Sequence, residues 1–306
     1  MIRSRLILVA LVGILLAAPT ALAYVPVGVV TSPRIEIQPA ASTDYLVYSE
    51  ATRARPAAFA LFAKPTGEPR FRVNPAGTVA FVGSIDGTTL AYSQRTVQGQ
   101  GQIKLFDLEA RSLLPSPAGV NTSAHESAPS LSGEWLAFTR ATKRALTWPR
   151  RLILHHLTDG AQTQLDFGSN AYVQGGGLAG NYVAWTRCRI FTNCRTWVYD
   201  IGLPTKRVLP NPQGKSQFAV SVTADGTVYY AESSTINCGT RKVVRFWRQP
   251  LVGARELLGA LPRGRDTAET NPVVMGDGSI ELFFDRYICS TGASDIYKFV
   301  IPAPTP

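Results

Sequence analysis

An all-β ring of four-stranded blades is the fold this sequence predicts, and three observations predict it. A five-residue strand recurs six times: LVYSE (46–50), LAYSQ (90–94), LAFTR (136–140), VAWTR (183–187), VYYAE (228–232) and LFFDR (282–286), in steps of 44, 46, 47, 45 and 54 residues. Each copy is aliphatic at position one, aromatic at position three and polar or charged at position five. No window holds a sustained helical period of apolar residues, whereas the 21 Pro and 26 Gly supply frequent turns.

Each unit can be read strand by strand. A short apolar stretch comes first, as in PSLS (129–132), AVSVT (219–223) and PVVM (272–275). A turn follows: Asp86-Gly87, Ser132-Gly133, Gly180-Asn181, Asp225-Gly226 and Asp277-Gly278 precede five of the recurring strands. Glycine accepts positive φ without steric cost, so these pairs suit tight antiparallel turns. The recurring strand comes second. Its odd positions share one face, which buries an aliphatic and an aromatic before the strand surfaces. After a polar, arginine-rich loop comes a third strand: IKLFDL (103–108), LILHHL (152–157), TWVYDI (196–201), VVRFW (243–247) and DIYKFV (295–300). A fourth closes most units: FRV (71–73), SLLP (112–115), TQLDF (163–167), RVLP (207–210) and ELLG (256–259).

Four short strands in a repeated unit of about 46 residues are the signature of a β-propeller. Six blades are expected near 34–73, 79–115, 128–167, 175–210, 218–259 and 271–301, forming one domain over 24–306. The sixth unit lacks a fourth strand. VGVV (27–30) is predicted to supply it and close the ring, covering edges that would otherwise pair with other chains.

PSLSGEWLAFTR (129–140), TADGTVYYAES (223–233) and MGDGSIELFFDR (275–286) resemble the blade motif of the TolB-type, WD40-like six-bladed propellers. In that family a strand, a Ser-Pro-Asp-Gly-like turn and a Leu/Ile-Ala-Phe/Tyr strand recur in each blade. The resemblance implies the propeller fold. The proline of the turn is missing from all three segments, and no counterpart of the family's separate N-terminal domain is expected.

Residues 1–23 read as a secretory signal peptide. Arg3 and Arg5 precede an apolar run from Leu6 to Ala18, Pro19 breaks it, and Ala21-Leu22-Ala23 offers small residues for cleavage. The run is short for a membrane span, and no later stretch is apolar enough to cross a bilayer. A secreted or periplasmic, cell-envelope protein is expected, and a monomer. Without Arg3 and Arg5 the chain keeps 29 basic against 21 acidic residues, a net charge of +8. Such a chain is drawn to polyanions.

An exported chain with four cysteines reads as disulfide-bonded. Cys188 and Cys194 flank the loop between the second and third strands of blade 4. Cys238 and Cys289 occupy the same loop in neighbouring blades 5 and 6. The expected pairs are therefore Cys188–Cys194 and Cys238–Cys289. Zinc would need two short cysteine pairs, which separations of 6, 44 and 51 residues do not supply.

No catalytic constellation, metal site or cofactor is predicted. His155 and His156 are adjacent strand residues that point to opposite faces. There is no Gly-x-Ser-x-Gly elbow, and no convergent set of carboxylates is evident. The loops after the recurring strands instead carry Arg53, Arg55, Arg140, Arg144, Arg150, Arg151, Arg187, Arg189 and Arg286, which a propeller would display on one face. Arginine suits bidentate contacts to carboxylate or phosphate. Arg187 and Arg286 could equally pair between blades, with Glu232 and Glu50 as the nearest acids in the repeat. The expected function is a binding scaffold whose basic face engages a protein partner or an anionic envelope polymer. The alternative is a propeller enzyme, a lyase, lactonase or glycan hydrolase, working at the central channel. Nucleic acid is not expected as a partner, since the chain is exported and offers no stacking motif.

Overall fold

The computed structural model describes residues 24–52, 54–142, 150–168, 171–189, 192–236, 238–239 and 241–303. The expected signal peptide, Arg53 and Arg144 lie outside them. The chain opens with β1 (Val27–Val30), then β2 (Ile35–Ala41), β3 (Tyr45–Thr52), β4 (Arg55–Pro65) and β5 (Phe71–Arg72). A second group is β6 (Ala80–Asp86), β7 (Thr89–Arg95), β8 (Gly101–Asp107) and β9 (Ser112–Leu114). A third is β10 (His125–Ser132), β11 (Trp135–Ala141), β12 (Arg150–His156) and β13 (Gln162–Gly168). A fourth is β14 (Tyr172–Ala179), β15 (Tyr182–Arg189), β16 (Thr192–Asp200) and β17 (Thr205–Val208). A fifth is β18 (Ser216–Val222), β19 (Val228–Ser233), β20 (Arg245–Gln249) and β21 (Glu256–Ala260). The chain ends with β22 (Arg265–Asp266), β23 (Thr270–Val274), β24 (Ile280–Ile288) and β25 (Ser294–Ile301).

The second to fifth groups are separate four-stranded antiparallel sheets. The first and last strands share a nine-stranded sheet, in which β25 meets β2 through the single parallel bridge Ile35–Ser294. Strand β1 pairs antiparallel with β25, its Val27 opposite Lys298. The described residues form an all-β structure consistent with a propeller.

The recurring strands are β3, β7, β11, β15, β19 and β24. Their position-three aromatics, Tyr48, Tyr92, Phe138, Trp185, Tyr230 and Phe284, are all buried. So are the residues at position two, Val47, Ala91, Ala137, Ala184, Tyr229 and Phe283. This corrects the expectation of one buried face. Each sheet lies between two neighbours, so both faces of its second strand are covered. Val47 joins a core with β6–β8, while Leu46 and Tyr48 join one with β23–β25. Similar cores tie each sheet to the next around the chain. The first strand of each group also starts earlier than the apolar pattern suggests: β10 begins at His125 and β18 at Ser216.

Those first strands line the axis. Five of them, β2, β6, β10, β14 and β18, are interrupted by a bulge against the second strand. A bulge re-aims the strand and leaves backbone groups unpaired, and side chains of adjoining sheets take them up. Ser84 Oγ accepts from Leu131 N (2.6 Å), Ser130 Oγ from Leu178 N (2.7 Å), Ser49 Oγ from Val82 N (3.2 Å) and Asn271 Oδ1 from Ala41 N (2.9 Å). Ser221 Oγ and Thr270 Oγ1 meet at 2.8 Å. At the junction of β14 with β18 backbone approaches backbone instead. A Cβ on Gly176 would lie 2.6 Å from Val220 O, so no larger residue fits.

Candidate functional site

Strand direction gives the molecule two different ends. One end, the loop end, carries the links between second and third strands and the crossovers between groups. The other, the turn end, carries the short turns within hairpins. Charge separates along the same line. Asp44, Glu68, Asp86, Glu109, Glu134, Asp159, Asp225 and Asp277 are the exposed carboxylates among the described residues, and all sit in or beside turns at the turn end. Arg34, Arg55, Arg151, Arg189, Arg195, Arg241, Arg245 and Arg263 are exposed at the loop end.

The acids of the loop end are withdrawn into the fold. Glu50 accepts from Arg34 (2.6 Å) and from Arg70, and the same Arg70 donates to Tyr48 Oη (2.8 Å). The arrangement repeats at β19, where Arg255 donates to Glu232 (2.6 Å) and reaches Tyr230 Oη at 3.4 Å. Glu126 sits opposite Arg140 on β10 and β11 and accepts from it at 3.1 Å. Asp166 of β13 takes the Trp185 indole N–H (2.7 Å) on one oxygen and Arg187 (2.5 Å) on the other.

Three of the arginines expected to bind are therefore engaged internally. Arg140 also donates to the carbonyls of Gly119 and Val120 (3.0 and 2.9 Å). Arg187 is held by Asp166 rather than by Glu232. Arg286 lies over the Tyr297 ring (3.7 Å) and donates to its hydroxyl, away from Glu50. Position five is mixed in sign around the repeat, but the actual partners come from other strands: Glu126 of β10, Asp166 of β13 and Tyr297 of β25. Arg150 stacks over Tyr172 (4.6 Å) and Arg151 lies 5.5 Å from the Phe167 ring centre. Arg55, Arg151 and Arg189 remain exposed.

Both expected disulfides, Cys188–Cys194 and Cys238–Cys289, are formed, and no described cysteine is free. Asp266 lies close to the sulfurs of the second bridge. A disulfide offers no thiolates, so this grouping is not a metal site as it stands. His155 and His156 belong to β12 as expected. His155 is buried, and burial with the nearby Arg140 charge holds its pKa down. His156 bonds Asp159 at 2.8 Å.

The axis corrects another expectation. Glu269 and Asp285 come near each other, and Asp266 lines the same loop-end cavity as Asp285. Asp266 is closed by the buried Lys242 ammonium at 2.7 and 2.8 Å. Asp285 Oδ1 accepts from Thr267 Oγ1 (2.8 Å), Ala268 N (2.7 Å) and Glu269 N (3.3 Å), whereas Oδ2 has only Gln38 N at 3.5 Å. Glu269 accepts from Gln174 Nε2 at 3.3 Å. Burial and the neighbouring Asp285 charge push Glu269 up to about 8. Above this group, at the loop end, a cavity of about 490 Å³ is lined by Ile37, Tyr172, Gln174, Phe218, Ile236, Asp285 and Tyr287 among others. A narrower axial channel lies alongside, with Glu269 in its wall. The sequence signal was faint: Asp266 and Glu269 lie just before the last first strand, while Asp285 is the fourth residue of LFFDR.

No protein-family model matches the chain, and no curated protein matches it. Solved structures do. TolB from Acinetobacter baumannii aligns with a TM-score of 0.54 at 16% identity, covering 85% of this chain and 65% of that one. The S511A mutant of a puromycin hydrolase aligns with 0.55 at 14% identity, covering 87% and 47%. A prolyl endopeptidase aligns with 0.52 at 12% identity, covering 90% and 51%. The chain thus spans about half to two thirds of the length of these structures. At such identities the likeness concerns the fold alone.

Proposed function

We propose that this protein is an exported six-bladed propeller that binds an anionic envelope polymer or an acidic protein partner through its loop end. The nine-stranded sheet is then two blades, β2–β5 and β23–β25 with β1, joined at the ring's seam. One observation carries the functional reading: most of the exposed arginines occupy the end from which exposed carboxylates are absent among the described residues. A surface of one sign attracts polyanions from a distance and is sensitive to salt. The two disulfides support an oxidising compartment.

The test is co-sedimentation with isolated envelope polymers across a salt titration. The triple variant Arg55→Gln, Arg151→Gln, Arg195→Gln should bind at least tenfold more weakly and with a shallower salt dependence. The matched variant Lys64→Gln, Arg111→Gln, Lys206→Gln, at or near the turn end, should bind like the parent. Equal losses in both would mean that net charge alone acts, and the reading fails. A second reading, an enzyme at the central channel, draws support from Glu269 and Asp285. It requires turnover of a sugar or lactone that Glu269→Gln abolishes.

A further inference from the structure

We infer that the cavity at the loop end is a binding site for a small organic ammonium ion with an apolar body, seated against Asp285. The cavity carries this independently of the basic rim. Its volume of about 490 Å³ lies within the range of about 300–1,000 Å³ usual for small-molecule sites, which pair apolar walls with a few convergent polar groups. Tyr172, Phe218, Ile236 and Tyr287 contribute the apolar and aromatic walls. Aromatic faces favour an ammonium group placed over them.

The polar end is selective for charge. Asp285 is 1% exposed yet lines the cavity, and its Oδ2 has no partner closer than 3.5 Å. Such an oxygen is costly to leave without a donor. Glu269, in the wall of the neighbouring channel, accepts at 3.3 Å from Gln174, which lines the cavity. The other charges facing this group cancel, because Asp266 is closed by Lys242. Arg150 stacks over the Tyr172 ring at 4.6 Å. An ammonium ion supplies an N–H donor to Asp285 Oδ2, and its charge offsets both the burial that pushes the Asp285 carboxyl up and the repulsion between Asp285 and Glu269. Its binding displaces the proton that Glu269 otherwise keeps up to about pH 8.

Calorimetry of the full chain at high salt tests this, because high salt silences the rim. The probes are 2-phenylethylammonium and its neutral analogue 2-phenylethanol. The ammonium should bind at least tenfold more tightly than the alcohol, with proton release at pH 7 and with affinity rising as the pH approaches 8. Glu269→Gln should weaken the ammonium at least tenfold and remove the proton release. Ala268→Trp alters an exposed wall residue and should block both probes while the protein stays folded. Equal affinity for the two probes, binding untouched by both variants, or no binding of the ammonium at millimolar concentration would each overturn the inference. None of these outcomes bears on polymer binding by Arg55, Arg151 and Arg195.

Discussion

Asp166 shows what a single side chain does for this ring. Its two oxygens serve Trp185 and Arg187, both on the neighbouring sheet, and the residue itself is buried. Removing it leaves an indole N–H and a guanidinium without their acceptor. Asp166→Ala is expected to cost about 2–4 kcal/mol, read from the midpoint of denaturant unfolding. Asp166→Asn should recover part of that, because an amide oxygen still accepts one bond. Glu36 acts in the other direction. Burial, with the charges of Asp295 and Glu50, pushes it up to about 7, and its Oε2 has no hydrogen-bond partner among the described residues. The native state therefore keeps a proton that the unfolded chain releases near 4.5. Stability from this group is present at low pH and is lost as pH rises from about 4.5 to 7. Glu36→Gln should match the parent near pH 4.5 and exceed it at pH 8 by on the order of 1 kcal/mol after allowance for solvent screening. Denaturation curves at the two pH values check this.

At the scale of the element, the second strands were legible because their period is local: an aliphatic, an aromatic and a turn lie within ten residues of one another. The strand β1 was legible for a related reason, since the last unit visibly lacked a partner for β25. The bulges of the first strands left no such trace. They depend on how a strand meets its neighbour, and Gln38, Ala128 and Ala219 adopt positive φ with no glycine to announce it. The ion pairs were equally hidden. Arg70 and Arg255 precede fourth strands and fold back onto Glu50 and Glu232, which requires knowing the register of three strands at once. The Tyr-x-Glu of the first and fifth repeat units was the available clue. The disulfides were legible because the repeat puts Cys238 and Cys289 in equivalent loops. The two bridges differ in what they constrain. In the chain-entropy view, Cys238–Cys289 closes 51 residues and Cys188–Cys194 only 6, worth about 4 and about 2 kcal/mol respectively. Replacing the first pair with serines should lower the unfolding free energy more than replacing the second, measured under identical non-reducing conditions.

For the whole molecule, continuity of the ring matters more than any one sheet. The strand β1 covers the outer edge of β25, and Tyr24 N bonds Leu258 O (2.8 Å) to anchor the chain on the preceding sheet. Truncation through Thr31 removes both and exposes a free edge. The truncated chain should unfold at a lower temperature and self-associate, as scattering during a thermal ramp would report. The loop end was foreseen as basic from its loops alone. The approach of Glu269 to Asp285 was not, because it depends on the path of the last crossover.

The separation of charge between the two ends has a consequence for crowding. A copy settled on a negatively charged layer hides its cations and turns its aspartates and glutamates outward. The coated surface thus remains negative. A second copy arriving loop end first would meet those carboxylates and could stack head to tail, whereas copies side by side would meet flanks of mixed sign. The coverage of a polyanionic surface should accordingly pass one layer at low ionic strength and stop at one layer when salt is raised.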